Sequence, residues 1–165
     1  MADRDIFTTG RFCIREFTED DREPFVACHL DPVFSSHHLE HERGRAHASA
    51  VFDAFLAWQA ENPRANFQFA VSSRDDPAGY IGNVGIRTRG LPPGEGELGI
   101  EFIPAWWQRG AASEVMRRFV TWAQDSLRIR AFVAETAPGN LAANHLAEAV
   151  GLRPTGQAGK RHWRS

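Results

Sequence analysis

The sequence predicts an α/β protein built on one mixed sheet, and two observations carry that prediction. Strand-length segments follow one another between Phe67 and Ile103 with only turns between them, which calls for antiparallel pairing. A strand–helix–strand unit then runs from Glu97 to Thr136, which calls for a parallel step. With 165 residues and 42% hydrophobic content, the chain suits a single domain spanning 1–165 with a sizeable core.

Arg11 to Phe17 alternates and reads as a first strand. Thr18-Glu19-Asp20-Asp21 supplies a cap and first-turn acids for a helix carrying Phe25, Val26, Cys28 and His29, which stops near Asp31-Pro32. Ser35 to Arg45 is polar and rich in histidine and reads as a loop. A second helix runs from about Ala46 to Ala60 and ends at Asn62-Pro63. Phe67–Val71 and Tyr80–Thr88 are strands around the Asp75–Gly79 turn. After the Gly90–Gly94 loop comes a third, Gly96–Ile103. The helix from Ser113 to about Leu127 sets Val115, Met116, Phe119, Val120 and Ala123 on one face. Ile129–Thr136 is a buried strand, and Asn140–Val150 a last helix closed by Gly151. The expected order is β-α-α-β-β-β-α-β-α with a short C-terminal tail.

The net charge of −2 points to no nucleic-acid or membrane partner. No apolar run approaches a membrane span, and Met1–Asp5 lacks the regions of a signal peptide. Cys13 and Cys28 are too few for a disulfide framework; both read as small core residues, and a reducing cytoplasm is the expected location.

The stretch with most chemical content is Pro104-Ala105-Trp106-Trp107-Gln108-Arg109-Gly110-Ala111-Ala112-Ser113. It turns a strand into an amphipathic helix through small residues. The first N–H groups of a helix lack intrahelical partners, and the helix dipole adds partial positive charge, so such a turn suits a phosphate. Gly110 gives backbone freedom and Arg109 a cation. Two readings stand, a phosphate cradle and small residues kept for packing. Neither the P-loop nor the dinucleotide fingerprint is present.

Taken with the element order, four segments resemble the GNAT acyl-CoA N-acyltransferases, in particular their RimJ/RimL branch. They are Cys13–Asp21, Gly79–Gly85, Glu97–Ile100 continuing through Trp107–Glu114, and Asn140 followed by Gly151-Leu152. The superfamily has Gln or Arg three residues before the loop glycine, where this chain has Trp107. The resemblance implies the GNAT fold and acetyl-CoA as cosubstrate, with its pyrophosphate over Gln108, Arg109, Gly110, Ala111, Ala112 and Ser113. Its pantetheine is expected against Phe102 and Ile103, with Asn140 and Asn144 holding its amides or a bridging water. No metal is expected.

Acetyl transfer to an amine needs a neutral amine, and amines are largely protonated at neutral pH, so a base helps. Glu97 and Glu101 stand four apart on the strand before the turn, on one face unless a bulge intervenes. Glu97 occupies the Glu-x-Gly slot of the branch and ranks first. A solvated strand face is the competing reading of each. Family members often carry a Ser or Tyr acid on the last helix. The corresponding slots are Ala143 and Ala147, so no essential acid is expected there, and His145 lies one residue off that face.

His37, His38 and His41 cluster in the polar segment between the first two helices, with His47 at the start of the second. A zinc site there would need a helical His37/His41 pair and a third ligand; polar loop histidines are the favoured reading. In the family this segment helps form the acceptor mouth, so His37, His38 and Trp106 are candidate acceptor contacts. The expected partner is a peptide or small-molecule amine, with the chain a monomer or homodimer. The activity implied is acetyl transfer to a primary amine in a ternary complex. The alternative is a non-catalytic acyl-CoA sensor on the same fold.

Overall fold

The computed structural model describes residues 5 to 165, without the side chains of 157 and 158. The first four residues, part of the segment tested above for a leader, lie outside the described residues. The strands are β1 (Asp5–Thr8), β2 (Phe12–Arg15), β3 (Asn66–Ser73), β4 (Gly82–Arg87), β5 (Glu95–Phe102), β6 (Ala131–Thr136), β7 (Arg153–Ala158) and β8 (Lys160–Arg164). The helices are α1 (Arg22–Leu30), α2 (Arg45–Gln59), α3 (Ala111–Leu127) and α4 (Leu141–Ala149).

All eight strands form one sheet in the order β1-β2-β3-β4-β5-β6-β8-β7. From β1 to β5 each pair is antiparallel, and the β5–β6 step is parallel, as the connections require. No helix among the described residues is long and apolar enough to cross a membrane.

Two additions to the expected order matter. The chain opens with β1, whose Phe7 packs on Phe119 and Trp122 of α3. Four residues with adjacent Ile6 and Phe7 offer no alternation to read. The expected tail is a hairpin, β7–β8, turned at Gly159 with φ 77. Its Arg- and Lys-rich sequence looks like loop, and Trp163 is its one core residue among those described. β8 lies beside β6, where the Trp163 indole donates to Thr136 Oγ1 at 2.8 Å. The Ser35–Arg45 segment also holds two short 3-10 turns, Phe34–His37 and Glu40–Glu42.

Alternation along the strands divides the core. On one face Ile14, Val71, Val84, Ile86, Leu98 and Phe102 pack against Val115, Met116 and Phe119 of α3. On the other, Phe17, Ala70 and Tyr80 pack against Phe25 and Val26 of α1 and Phe52 and Phe55 of α2. The α1 start is tied down by a buried ion pair. Arg15 meets Asp21 through two bonds of 2.8 and 2.9 Å, and Arg15 also donates to Ser72 Oγ and to the Pro77, Ala78 and Gly79 carbonyls. Asp21 in turn accepts from the Thr18 N–H at 2.9 Å. This clasp joins β2, α1 and the β3–β4 connection, and so sets where α1 crosses the sheet.

Candidate active site

β5 pairs with β6 only from Glu95 to Glu97, opposite Ala131 to Val133, and then the two strands part. The Ile103 N–H donates to Ile81 O, so odd-numbered residues of this stretch bond toward β4. Leu98 and Ile100 therefore turn their N–H and C=O groups into the gap. A cleft of about 1100 Å³ occupies this gap and continues over both sheet faces. Its walls include Leu98 to Phe102, Gln108, Gly110 to Ser113, Thr136, Ala137 and the exposed side of α4.

The turn into α3 is built for close approach. Gly110 sits in the left-handed region at φ 72, Gln108 does so at φ 58, and no side chain caps the helix. The first intrahelical bond is made by the Glu114 N–H to Gly110 O. The preceding N–H groups of the turn thus face the cleft beside Ala111, Ala112 and Ser113. Arg109 lies elsewhere: its guanidinium stacks on Trp106, 4.1 Å from the ring centroid, and lines no part of the cleft. The cation at this turn is Arg11, which bonds Glu114 at 2.7 Å and whose Nη2 lies 3.7 Å from where a Cβ on Gly110 would stand. Burial alone would raise Glu114, but the Thr9 hydroxyl and Arg11 hold its pKa below the ordinary value. Arg11 escaped the sequence reading because it precedes β2, far from α3 along the chain. The turn thus offers free backbone N–H groups and the positive end of a helix dipole to the cleft.

The expected pantetheine contacts need correcting. The Phe102 carbonyl is taken by the Trp107 indole at 2.7 Å and the Ile103 N–H by Ile81, so the open edge lies upstream, at Leu98 and Ile100. Asn144 does not reach the cleft. It is buried, accepts from Thr136 Oγ1 and donates to Pro138 O at 3.2 Å. Asn140 lines the cleft, but its side chain caps α4 by accepting from the Ala143 N–H at 3.2 Å. Ala143 lines the cleft as expected but Ala147 is in the core, so only part of the expected face of α4 is turned to the site: Ala142, Ala143, His145, Leu146 and Ala149 line the cleft. Asn144→Ala is accordingly expected to cost about 2 kcal/mol by orphaning the Thr136 hydroxyl and Pro138 carbonyl. A melting scan should read that as a drop of roughly 4–8 °C, with acetyl-CoA affinity little changed. Weakened binding at unchanged stability would return Asn144 to the cleft.

Glu97 and Glu101 are both on the α1/α2 face of β5. The β4–β5 register runs unbroken from Gly82/Phe102 to Arg87/Glu97, with no bulge between them. They are therefore about 13 Å apart and cannot share one reacting centre. Glu97 stands opposite Arg87. Between the two glutamates the paired glycines Gly85 and Gly99 leave a bare floor. A Cβ on Gly85 would strike the Gln68 side chain, at 2.0 Å from Oε1.

Glu101 sits in a built environment. Asn83 Nδ2 donates to its Oε2 at 3.1 Å, and His29 Nε2 lies 3.3 Å from the same oxygen. Gln68 Nε2 donates to Asn83 Oδ1 at 2.7 Å, and the Asn83 amide also donates to Tyr80 Oη at 2.8 Å. Burial would raise Glu101, but the His29 hydrogen bond and charge and the Asn83 amide outweigh it and hold the pKa below 4.5. Burial would likewise lower His29, and the Glu101 bond and charge carry it above 6.5. The pair's stabilisation is thus fullest between those two values. It fades below as Glu101 protonates and above as His29 loses its proton.

His38 stacks on His29 with ring centroids 5.9 Å apart and stays below its ordinary value, chiefly through burial. Both rings and the exposed His37 line the cleft, as does Trp106, which also packs edge-on against Phe12. Cys28 is pushed up to about 12, first by burial and then by the Glu101 charge, which leaves it no role as a nucleophile. Among the described residues no group of three or more His, Cys, Asp or Glu is placed to hold a metal ion.

A strand-to-helix turn open to an anion beside a parted parallel pair suits a phosphate-bearing cosubstrate, and the sequence comparison gives the class of the protein. Residues 11–153 match the model of the acetyltransferase (GNAT) domain family, and the chain belongs to that family. It is 28% identical over 152 residues to an uncharacterized N-acetyltransferase of Bacillus subtilis, YoaA, covering 92% of this chain and 84% of that protein. Among solved structures the fold superposes on RimL, the ribosomal L7/L12 alpha-N-protein acetyltransferase in complex with coenzyme A. The TM-score is 0.79 at 12% identity, over 98% of this chain and 97% of that one. On Mycobacterium smegmatis RimJ in complex with CoA-disulfide the TM-score is 0.73 at 14% identity, over 94% and 84%.

Proposed function

We propose that this GNAT acetyltransferase moves an acetyl group from acetyl-CoA to the primary amine of a cationic acceptor, by direct attack in a ternary complex. The observation that carries the reading is Glu101, ionised between His29 and Asn83 on the floor of the cleft, across the sheet from the anion cradle. Gln108 and Gly110 to Ser113 hold the pyrophosphate, with the Glu114-paired Arg11 beside Gly110, and Leu98 and Ile100 offer strand-like bonds to the pantetheine amides. The acceptor enters from the α1/α2 side, where Glu101 binds and aligns its ammonium group. We place Glu101 ahead of Glu97, reversing the order suggested by the Glu-x-Gly slot, because no comparable polar network surrounds Glu97.

A peptide α-amine suits this mouth. It is lined by Phe34 and by Trp107, which faces Phe34 and is 40% exposed, so apolar surface beside the amine finds partners. The name of the RimL neighbour, an alpha-N-protein acetyltransferase, agrees with that choice.

The test is CoA release, followed by thiol detection, with peptides bearing a free α-amine and with linear diamines. Steady release with at least one peptide is expected. Acetyl-CoA binding without release to any amine would favour the sensor reading. Gly110→Asp supplies the matching control. Asp tolerates the left-handed backbone better than most residues but sets a carboxylate against the pyrophosphate. Calorimetry should show acetyl-CoA affinity reduced at least about tenfold, about 1.4 kcal/mol, with the fold retained. Unchanged affinity would move the cradle elsewhere.

A further inference from the structure

We propose that His29 is the terminal proton acceptor of the transfer, with Glu101 carrying the amine proton to it; this rests on the acetyltransferase function above. His29 Nδ1 lies 2.9 Å from the Phe25 carbonyl, one turn back on α1. A carbonyl only accepts, so Nδ1 carries a hydrogen in every protonation state. The tautomer is thereby chosen, and Nε2 is the nitrogen left to gain or lose a proton. It faces Glu101 Oε2 at 3.3 Å. With the ring neutral, two lone pairs oppose each other there, so the pair is built to take up one proton.

Its surroundings hold that geometry. The ring is packed by Phe25 at 4.1 Å and Phe34 at 4.8 Å between centroids. Gln68 orients Asn83 so that its amide, rather than its carbonyl, meets Glu101. Both the Asn83 and the His29 contact fall on Oε2, so Oε1 is the carboxylate oxygen left for the acceptor. The ionisable groups around His29 are Cys28 and Asp31 from its own segment, His38 with Glu42 and Arg43 behind it from the loop, Glu101 from β5 and Tyr80 ahead of β4. Glu101 alone is a strong anion and a weak base, since it is held below its ordinary value. His29 supplies the basicity, in the range where an amine must be deprotonated.

The step balances as follows. It begins with neutral His29, ionised Glu101 and the acceptor as neutral amine, the bound ammonium group having first given one proton up to solvent. The amine nitrogen forms a bond to the thioester carbonyl carbon, the C–S bond breaks, and its electron pair leaves on sulfur. The nitrogen's proton passes to Glu101 Oε1, the carboxyl group turns so that this oxygen meets His29, and the proton moves on to Nε2, leaving imidazolium beside carboxylate. The thiolate takes a proton from water, and His29 returns its proton to solvent before the next turnover.

His29→Gln tests this, because a Gln amide can still donate to Glu101 but has no titrating nitrogen. kcat/KM for a peptide α-amine is measured against pH in both proteins, so that the acceptor's own ionisation is common to both profiles. The wild type is expected to show an acidic limb set by His29, and His29→Gln to lose that limb and fall about a hundredfold at neutral pH with acetyl-CoA affinity unchanged. Nitrogen-detected NMR of labelled histidine reads the wild type directly. His29 Nδ1 should stay protonated while Nε2 titrates above 6.5, and Glu101→Gln should shift that titration down. A His29→Gln profile that overlays the wild type, or an Nε2 that does not titrate near neutrality, overturns the relay alone. A wild type that releases no CoA to any amine overturns the function and the relay with it.

Discussion

Glu101→Gln is expected to lower kcat/KM for amine acceptors by about 10²–10⁴-fold while leaving acetyl-CoA affinity nearly intact. The side chain keeps its shape and loses its charge. Three things fail together: the anion that aligns the ammonium group, the carrier between amine and His29, and the charge that keeps His29 basic despite its burial. Glu97→Gln is the control on the same strand face, one bare stretch of floor away, and should cost far less. Measuring both by CoA release across the neutral range decides the assignment. If Glu97→Gln is the more damaging, the base lies where the Glu-x-Gly pattern put it, and the network around Glu101 serves stability.

Asp21→Ala is expected to cost about 3–5 kcal/mol of folding stability, the largest loss from a single change away from the core hydrophobics. The side chains of Arg15 and Asp21 are 10% and 2% exposed. Removing the acid leaves a guanidinium buried among carbonyls with no counter-charge. It also frees the Thr18 N–H that begins the turn into α1. Urea titration should show a lower midpoint at similar slope. The double variant Arg15→Met/Asp21→Leu should recover part of the loss, because no lone charge remains. The Arg45–Glu23 pair, exposed on both sides, should matter little by comparison. A loss under about 1 kcal/mol in Asp21→Ala would mean that water reaches the pair. Activity should fall with stability here, since the same clasp sets α1, and with it His29, over Glu101.

Much of the architecture was legible because its signals are local. The apolar period of α3 is decided within one helix, and Val115, Met116, Phe119 and Ala123 are buried as that period requires. The small-residue turn before it shows in three successive side chains and one left-handed glycine. The order of antiparallel and parallel steps follows from connection length alone. What failed to show was weakly patterned. β1 is too short to alternate, and β7–β8 is polar apart from Trp163. In α4 the alanines at 142, 143, 147 and 149 give no amphipathic contrast. Its buried face was chosen instead by Asn144 meeting Thr136, itself bonded to Trp163 of the unrecognised β8.

The candidate site divides the same way. Period two put Glu97 and Glu101 on one face, and sequence had no means of saying which would be enclosed. That depends on α1 crossing above Glu101 and on Gln68 reaching over Gly85 to turn Asn83, contacts between segments far apart in the chain. Arg11 reached the anion cradle, and Arg109 left it for Trp106, for the same reason. The sequence by itself determined the family, the succession of its five legible strands and the small-residue turn before α3, because those rest on neighbours in the chain. The tertiary structure alone decided which carboxylate is enclosed and partnered, because a side chain's electrostatics are set by whatever packs against it from elsewhere.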